Sequence, residues 1–136
     1  NGHMNETNYL EVCSQATDKF MEMLGMDVDY IKSTNESFFT VETHICHINE
    51  AKEGMRIIAK TQVLEAEGKK LRLFHVLETD NGNIVATGEH MLLHVSLKTR
   101  SSSLPSEKIS TSLSKLFQEH SNLPWPDGAG RSIGKK

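Results

Sequence analysis

The chain has 136 residues, 37% of them hydrophobic and 24% charged, and a formal net charge of −3. Those figures describe one globular domain able to bury a core, and they leave no electrostatic case for nucleic acid or an anionic membrane as the main partner. The apolar runs are too short to span a bilayer and no secretory pattern opens the chain, so a cytoplasmic location is expected.

In chain order, apolar residues recur at helical spacing over residues 9–24, at Tyr9, Val12, Cys13, Ala16, Phe20, Met23 and Leu24. Asn5 or Thr7 can cap the start of this helix, and Gly25 can take the left-handed turn that ends it. Its Val12, Ala16, Phe20 and Met23 side is expected to be buried. Four strand-like stretches follow, at 37–47, 55–65, 70–79 and 84–97. They are separated by the turn signals Glu53-Gly54, Glu67-Gly68 and Asp80-Asn81-Gly82-Asn83. Short turns force antiparallel neighbours. Residues 106–120 read as a second amphipathic helix with Ile109, Leu113, Leu116 and Phe117 on one face. Residues 123–136, rich in proline and glycine around Trp125, read as an extended tail beyond a domain of residues 1–122. One long helix with a meander of long strands predicts an α+β fold. Its sheet has an edge that a second copy can cover, so a homodimer or a dimer of dimers is expected.

Simple chemical sites are few. Cys13 and Cys46 have no paired spacing and read as small core hydrophobes in a reducing compartment. Of the seven histidines, His44 and His47 point to opposite faces of a strand. His90 and His94 share a face but stand roughly 13 Å apart, too far for one metal ion. There is no nucleophile elbow and no glycine-rich phosphate loop. Asn49-Glu50 reads as a polar connection. What remains is Gly2 to Tyr9, which puts glycine, imidazole, amide and carboxylate at the N-terminus of the buried helix. Free N–H groups there can stabilise negative charge on a carbonyl oxygen.

That segment resembles the start of the central helix in hot-dog thioesterases of the 4-hydroxybenzoyl-CoA thioesterase type. Their pattern Asp-x-x-Gly-His-Val/Met-Asn-x-x-x-Tyr-Leu is met in place by Gly2, His3, Met4, Asn5, Tyr9 and Leu10. Phe39-Thr40-Val41-Glu42, the Asn49-Glu50 junction, the run from Thr87 to Val95 and the Lys98 to Pro105 segment extend the likeness over nearly the whole chain. Leu73-Phe74-His75 and the terminal Gly128-Ala129-Gly130-Arg131-Ser132-Ile133 are similar to thioesterases of carnitine breakdown, which act on betainyl-CoA.

The resemblance implies a hot-dog fold: a long helix wrapped by a curved antiparallel sheet. It implies hydrolysis of a small acyl-CoA with no cofactor beyond the coenzyme A of the substrate. The Glu6 N–H would polarise the thioester carbonyl, Asn5 would orient water, and His3 would steady the loop. Gly2 and Tyr9 would shape the pocket, and Lys98 and Arg100 would meet the CoA phosphates. Glu42 and Glu89 are the carboxylates suited to a cationic acyl group. The principal Asp of the family pattern, and the first strand of its sheet, would fall before residue 1. A non-catalytic ligand-binding hot-dog subunit and a hot-dog dehydratase are the alternatives. The latter needs a histidine on the central helix, which residues 9–24 lack.

Overall fold

A computed structural model describes residue 2 and residues 4–135. The first helix, α1 (Glu6–Met23), starts three residues earlier than periodicity indicates because Asn5 caps it. The Asn5 side-chain oxygen accepts from the Thr7 N–H at 3.1 Å. At the other end Gly25 adopts φ 89°, while the Met26 N–H reaches the Met21 carbonyl at 2.8 Å and the Gly25 N–H reaches Glu22. This is the left-handed stop expected of a glycine.

A short helix that periodicity does not reveal, α2 (Val28–Thr34), follows. Asp27 caps it, accepting from the Tyr30 N–H at 2.9 Å, and Asn35 at φ 56° ends it. It has seven residues and none is buried, so it leaves no apolar stripe to read. Then come β1 (Glu36–His47), β2 (Ile57–Glu67), β3 (Lys70–Thr79), β4 (Ile84–Ser96), the two-residue β5 (Ser101–Ser102) and α3 (Glu107–His120). All strand pairs are antiparallel, in the order β1-β4-β3-β2 with β5 on β4. This is the expected α+β, hot-dog arrangement.

The helix lies on one face of the sheet, burying Tyr9, Cys13 and Phe20. Val12 and Ala16 are only half-buried, and Met23 is 62% exposed, contrary to expectation. These three line a groove beside β2 rather than the contact ridge. Two apolar clusters form, one around Phe20, Leu73, Leu92 and Leu113, the other around Tyr9, Cys13, Leu77 and Ala86. Between them, at the intervening strand positions, runs a polar belt. His75, fully buried, meets the Thr17 hydroxyl through Nε2 at 2.9 Å and the Thr61 hydroxyl through Nδ1 at 2.8 Å. A neutral imidazole donates through one nitrogen and accepts through the other, and hydroxyls suit both roles. His90 meets the Thr43 hydroxyl at 3.0 Å, and its ring lies 5.3 Å from that of His75.

Both edges of the sheet are distinctive. β1 pairs only with β4 and β2 only with β3 among the described residues. Helix α3 packs along β2, and His120 Nδ1 accepts from the Val63 N–H at 2.8 Å. Residues 123–135, expected to run extended, instead turn back onto the sheet face opposite α1. There the Gly130 N–H donates to Glu89 Oε1 at 2.8 Å, Gln62 donates to the Pro124 carbonyl, and the Trp125 ring lies 5.5 Å from the Arg72 guanidinium. Composition marks Trp125 as the tail's one docking residue but not where it docks, because its partners, Arg72 and Glu89, are distant in sequence.

Candidate active site

The N-terminus of α1 is held by the chain that leaves β1. Residues 48–56 cross from one sheet edge to the other. On the way the Ala51 carbonyl accepts from the Met4 N–H at 2.8 Å, and the Glu53 N–H donates to the Gly2 carbonyl at 2.9 Å. Gly2 sits at φ 71°, a conformation glycine adopts without strain. Asn49 anchors the crossing by donating to the Ile84 carbonyl at 2.8 Å, and Ala51 is fully buried.

These constraints open a cleft of about 480 Å³ lined by Met4, Glu6, Tyr9, His47, Ile48 and the Asn49-Glu50 pair. Tyr9 is 5% exposed and packs edge-on against the His47 ring, with centroids 4.9 Å apart. The Asn5 carbonyl accepts from the Asn8 N–H at 3.0 Å, and its side chain takes that of Thr7. The Glu6 N–H belongs to the first turn, where a helix supplies no acceptor of its own. The helix dipole adds partial positive charge at the same point. A carbonyl oxygen placed there gains a hydrogen bond that strengthens as it becomes an oxyanion.

Of the expected residues Glu6 and Tyr9 line this cleft, Asn5 caps the helix beside it and Gly2 is held by Glu53 in the loop before it, while His3 lies outside the described residues. Sequence reasoning missed His47, Ile48 and the structural part of Asn49-Glu50. Their signal was positional only: they leave the strand that pairs with the start of β4. His44 and His47 do face opposite sides, His47 towards Tyr9 and His44 towards the far face.

Other expected site residues lie elsewhere. Lys98 and Arg100 are exposed in the turn after β4. In one chain they stand at the end of β4 opposite to Ile84, roughly 40 Å away at ~3.3 Å per residue. Glu42 and Glu89 share a small cleft with His44, Arg72, Met91 and Arg131 on the sheet face away from α1. Glu89 there is bound twice by Arg72, at 2.7 Å through Nε and 2.6 Å through Nη2, and once by the Gly130 N–H. Both Arg72 nitrogens share Oε2 while Gly130 takes Oε1, so its charge is committed to Arg72 and to the tail rather than to the α1 N-terminus. Cys46, expected in the core, is also on that face, with its sulfur 3.0 Å from Arg131 Nη2. Cys13 is fully buried, and burial pushes its thiol up to about 11, so it stays protonated and inert.

Among the described residues no group of His, Cys, Asp and Glu is placed to hold a metal ion. No helix among them is long and apolar enough to cross a membrane.

Residues 1–124 match the family model described as thioesterase-like superfamily. The L-carnitine dehydrogenase/betainyl-CoA thioesterase of Ruegeria pomeroyi is 47% identical over 135 residues, covering 99% of this chain and 27% of that protein. The chain thus spans about a quarter of the length of such relatives. The betainyl-CoA thioesterase of Pseudomonas aeruginosa is 38% identical over 135 residues, covering 98% of this chain and 85% of that one. Among solved structures, a putative thioesterase from Pseudomonas putida superposes with a TM-score of 0.85 at 33% identity, covering 100% of this chain and 87% of that one. A hypothetical protein of Staphylococcus aureus solved in complex with CoA has the same fold, with a TM-score of 0.92 at 24% identity, over 100% of this chain and 86% of that one.

Proposed function

We infer function from one fixed point: the chain belongs to the thioesterase-like superfamily. We propose that it hydrolyses a small acyl-CoA thioester in the cytoplasm, with betainyl-CoA, released as betaine and CoA, as the favoured substrate. The observation that carries this reading is the cleft at the α1 N-terminus. It joins a carbonyl-polarising helix start to a wall of aromatic and acidic side chains.

In betainyl-CoA the quaternary nitrogen is one methylene from the thioester carbonyl. A carbonyl at the Glu6 N–H therefore puts that cation within the same cleft. Glu6 and Glu50 supply negative charge, and the Tyr9 and His47 rings supply polarisable faces. Water attacks the carbonyl carbon, the oxyanion is held at the helix start, and the C–S bond breaks to release the CoA thiol. Asn5 orients the attacking water, and Gly2 lets the loop turn close to the substrate. The family pattern puts the principal carboxylate three positions before Gly2. Residues 2–9 accordingly supply positioning and polarisation, and no resident cofactor is needed.

A dimer formed along the β1 edge completes the proposal. That strand leaves Phe39 and Val41 exposed, and Ile48 just beyond it is also exposed. Pairing across a two-fold axis would cover all three and bring Lys98 and Arg100 of one subunit within reach of CoA held by the other.

The test is release of CoA thiol by the whole gene product. Betainyl-CoA is compared with 3,3-dimethylbutanoyl-CoA, which has the same shape without the charge. A preference of at least about tenfold for the charged thioester, or about 1.4 kcal/mol in the transition state, is expected. A faster neutral isostere ends the betainyl assignment and leaves the thioesterase one. No thiol release from any short acyl-CoA ends both and favours a ligand-binding subunit.

A further inference from the structure

Asn49 sits where β1 ends and the crossing of residues 48–56 begins, and it meets an irregularity of the sheet there. The pairing of β1 with β4 stops at His47 opposite Ala86. On the other side of β4 the register with β3 slips between Leu77 and Glu78, so Val85 has no opposite number on β3. An extra residue of this kind is a β-bulge, a device that re-aims groups beside functional sites. In a regular strand successive carbonyls point to opposite edges. At this end of β4 two in a row face the exit of β1. The Val85 carbonyl accepts from the Ile48 and Asn49 N–H groups at 2.9 and 3.1 Å, and the Ile84 carbonyl accepts from Asn49 Nδ2 at 2.8 Å.

At position 49 the Ile84 carbonyl can be reached only by a side-chain donor, because the Asn49 N–H is already given to Val85. A carbonyl accepts and never donates, so its partner fixes which way the Asn49 amide is turned. Further along the crossing, the Ala51 carbonyl and the Glu53 N–H hold Met4 and Gly2, and the Lys52 carbonyl closes a turn by accepting from the Met55 N–H at 3.1 Å. The loop before α1 therefore hangs on the crossing, and the crossing is fastened to β4 at Asn49. From Met4 the chain passes through the capping Asn5 to the Glu6 N–H. Asn49 and Glu6 line the same cleft.

We propose that Asn49 is a positioning residue for thioester hydrolysis. It fixes the crossing to the bulge of β4, and the crossing sets where the Glu6 N–H stands relative to the thioester carbonyl. The role rests on the thioesterase reading above. Its physical basis is the steep dependence of rate on alignment, since a misplacement of about 1 Å costs on the order of a hundredfold. Binding of the rest of the CoA does not need that alignment, so affinity should change far less.

The experiment compares Asn49→Ala and Asn49→Asp with the parent, as full gene products, on the short acyl-CoA that the parent hydrolyses fastest. For Asn49→Ala, kcat is expected to fall at least about tenfold while KM changes by less than about twofold. The amides of Met4 and Glu53 should exchange faster in deuterium oxide than in the parent, while those of Leu73 and Leu92 in the core keep their rates. Asn49→Asp keeps the shape, but once ionised it has no proton to give a carbonyl. Facing a carbonyl oxygen, its carboxyl holds the proton to higher pH than usual. Its kcat relative to the parent should climb as pH falls from about 7 to about 5, and that of Asn49→Ala should stay flat. An unchanged kcat, a loss confined to KM, or core amides that speed up as much as Met4 and Glu53 overturns the proposal. So does a flat pH ratio for Asn49→Asp. A parent that releases no thiol from any short acyl-CoA ends the thioesterase reading and this role together, whereas an active parent with an unaffected Asn49→Ala ends this role alone.

Discussion

Gly88 shows how little room the polar belt leaves. A Cβ built there would stand 2.6 Å from the Cys13 sulfur and 3.0 Å from His90 Nε2. Gly88→Ala is therefore expected to destabilise the protein by about 1–3 kcal/mol, the usual range for overpacking. Adding Cys13→Ala should recover part of that loss in urea titrations, because the closest clash is with sulfur. His75 carries a different liability. Burial, reinforced by the neighbouring His90, pushes its imidazole down to about 4 from an ordinary 6.5. Between those values the unfolded chain binds more protons than the folded one, so stability falls as pH falls. The contribution, roughly 3 kcal/mol, is fully present above the ordinary value and lost on passing down through the folded one. His75→Gln keeps a donor and an acceptor for the two threonines. Its urea midpoint should drop less than the parent's between about pH 7 and pH 4.

Among the elements, the tail is tied down by one carboxylate. Glu89→Gln removes a charge that Arg72 grips twice and weakens the acceptor of the Gly130 N–H. A loss of about 1–3 kcal/mol is expected, with faster tryptic cleavage at Arg131, and cleavage no faster than in the parent would show that the tail is held by other contacts. The regular elements were legible in the sequence because each announces itself locally. Asn5 and Gly25 bracket α1, three glycine-bearing turns separate the strands, and Ser106 caps α3 by accepting from the Ile109 N–H. Helix α2 was not legible, since seven residues with no buried face carry no period. Within the candidate site, Gly2 and Asn5 were visible because their backbone roles need those residue types. His47 was not, because its contact with Tyr9 joins the end of β1 to the start of α1, which are distant in sequence. Glu42 and Glu89 were visible as strand carboxylates. Their face depends on strand alternation and on a register shift between Thr40 and Glu42, neither of which composition reveals.

For the whole molecule, the two sheet edges behave differently. The β1 edge, with its exposed Phe39 and Val41, is expected to pair with its copy. Light scattering of the full gene product at about micromolar concentration should give at least twice the chain mass, and a monomer would count against the proposed assembly. The β2 edge is guarded by α3, and only Val63 among the described β2 residues hands its N–H to a side chain of that helix, His120. An edge strand turns alternate amides outward, away from its one paired neighbour. In deuterium oxide those outward amides of β2 should exchange quickly, with Val63 as the slow exception while its inward neighbours wait for larger openings. Replacing His120 by alanine would turn Val63 into a fast exchanger and leave the inward set protected. The exchange pattern of this one strand thus measures how firmly α3 seals the sheet. Uniform slow exchange along β2 would instead reveal a further strand laid against it in the assembled protein.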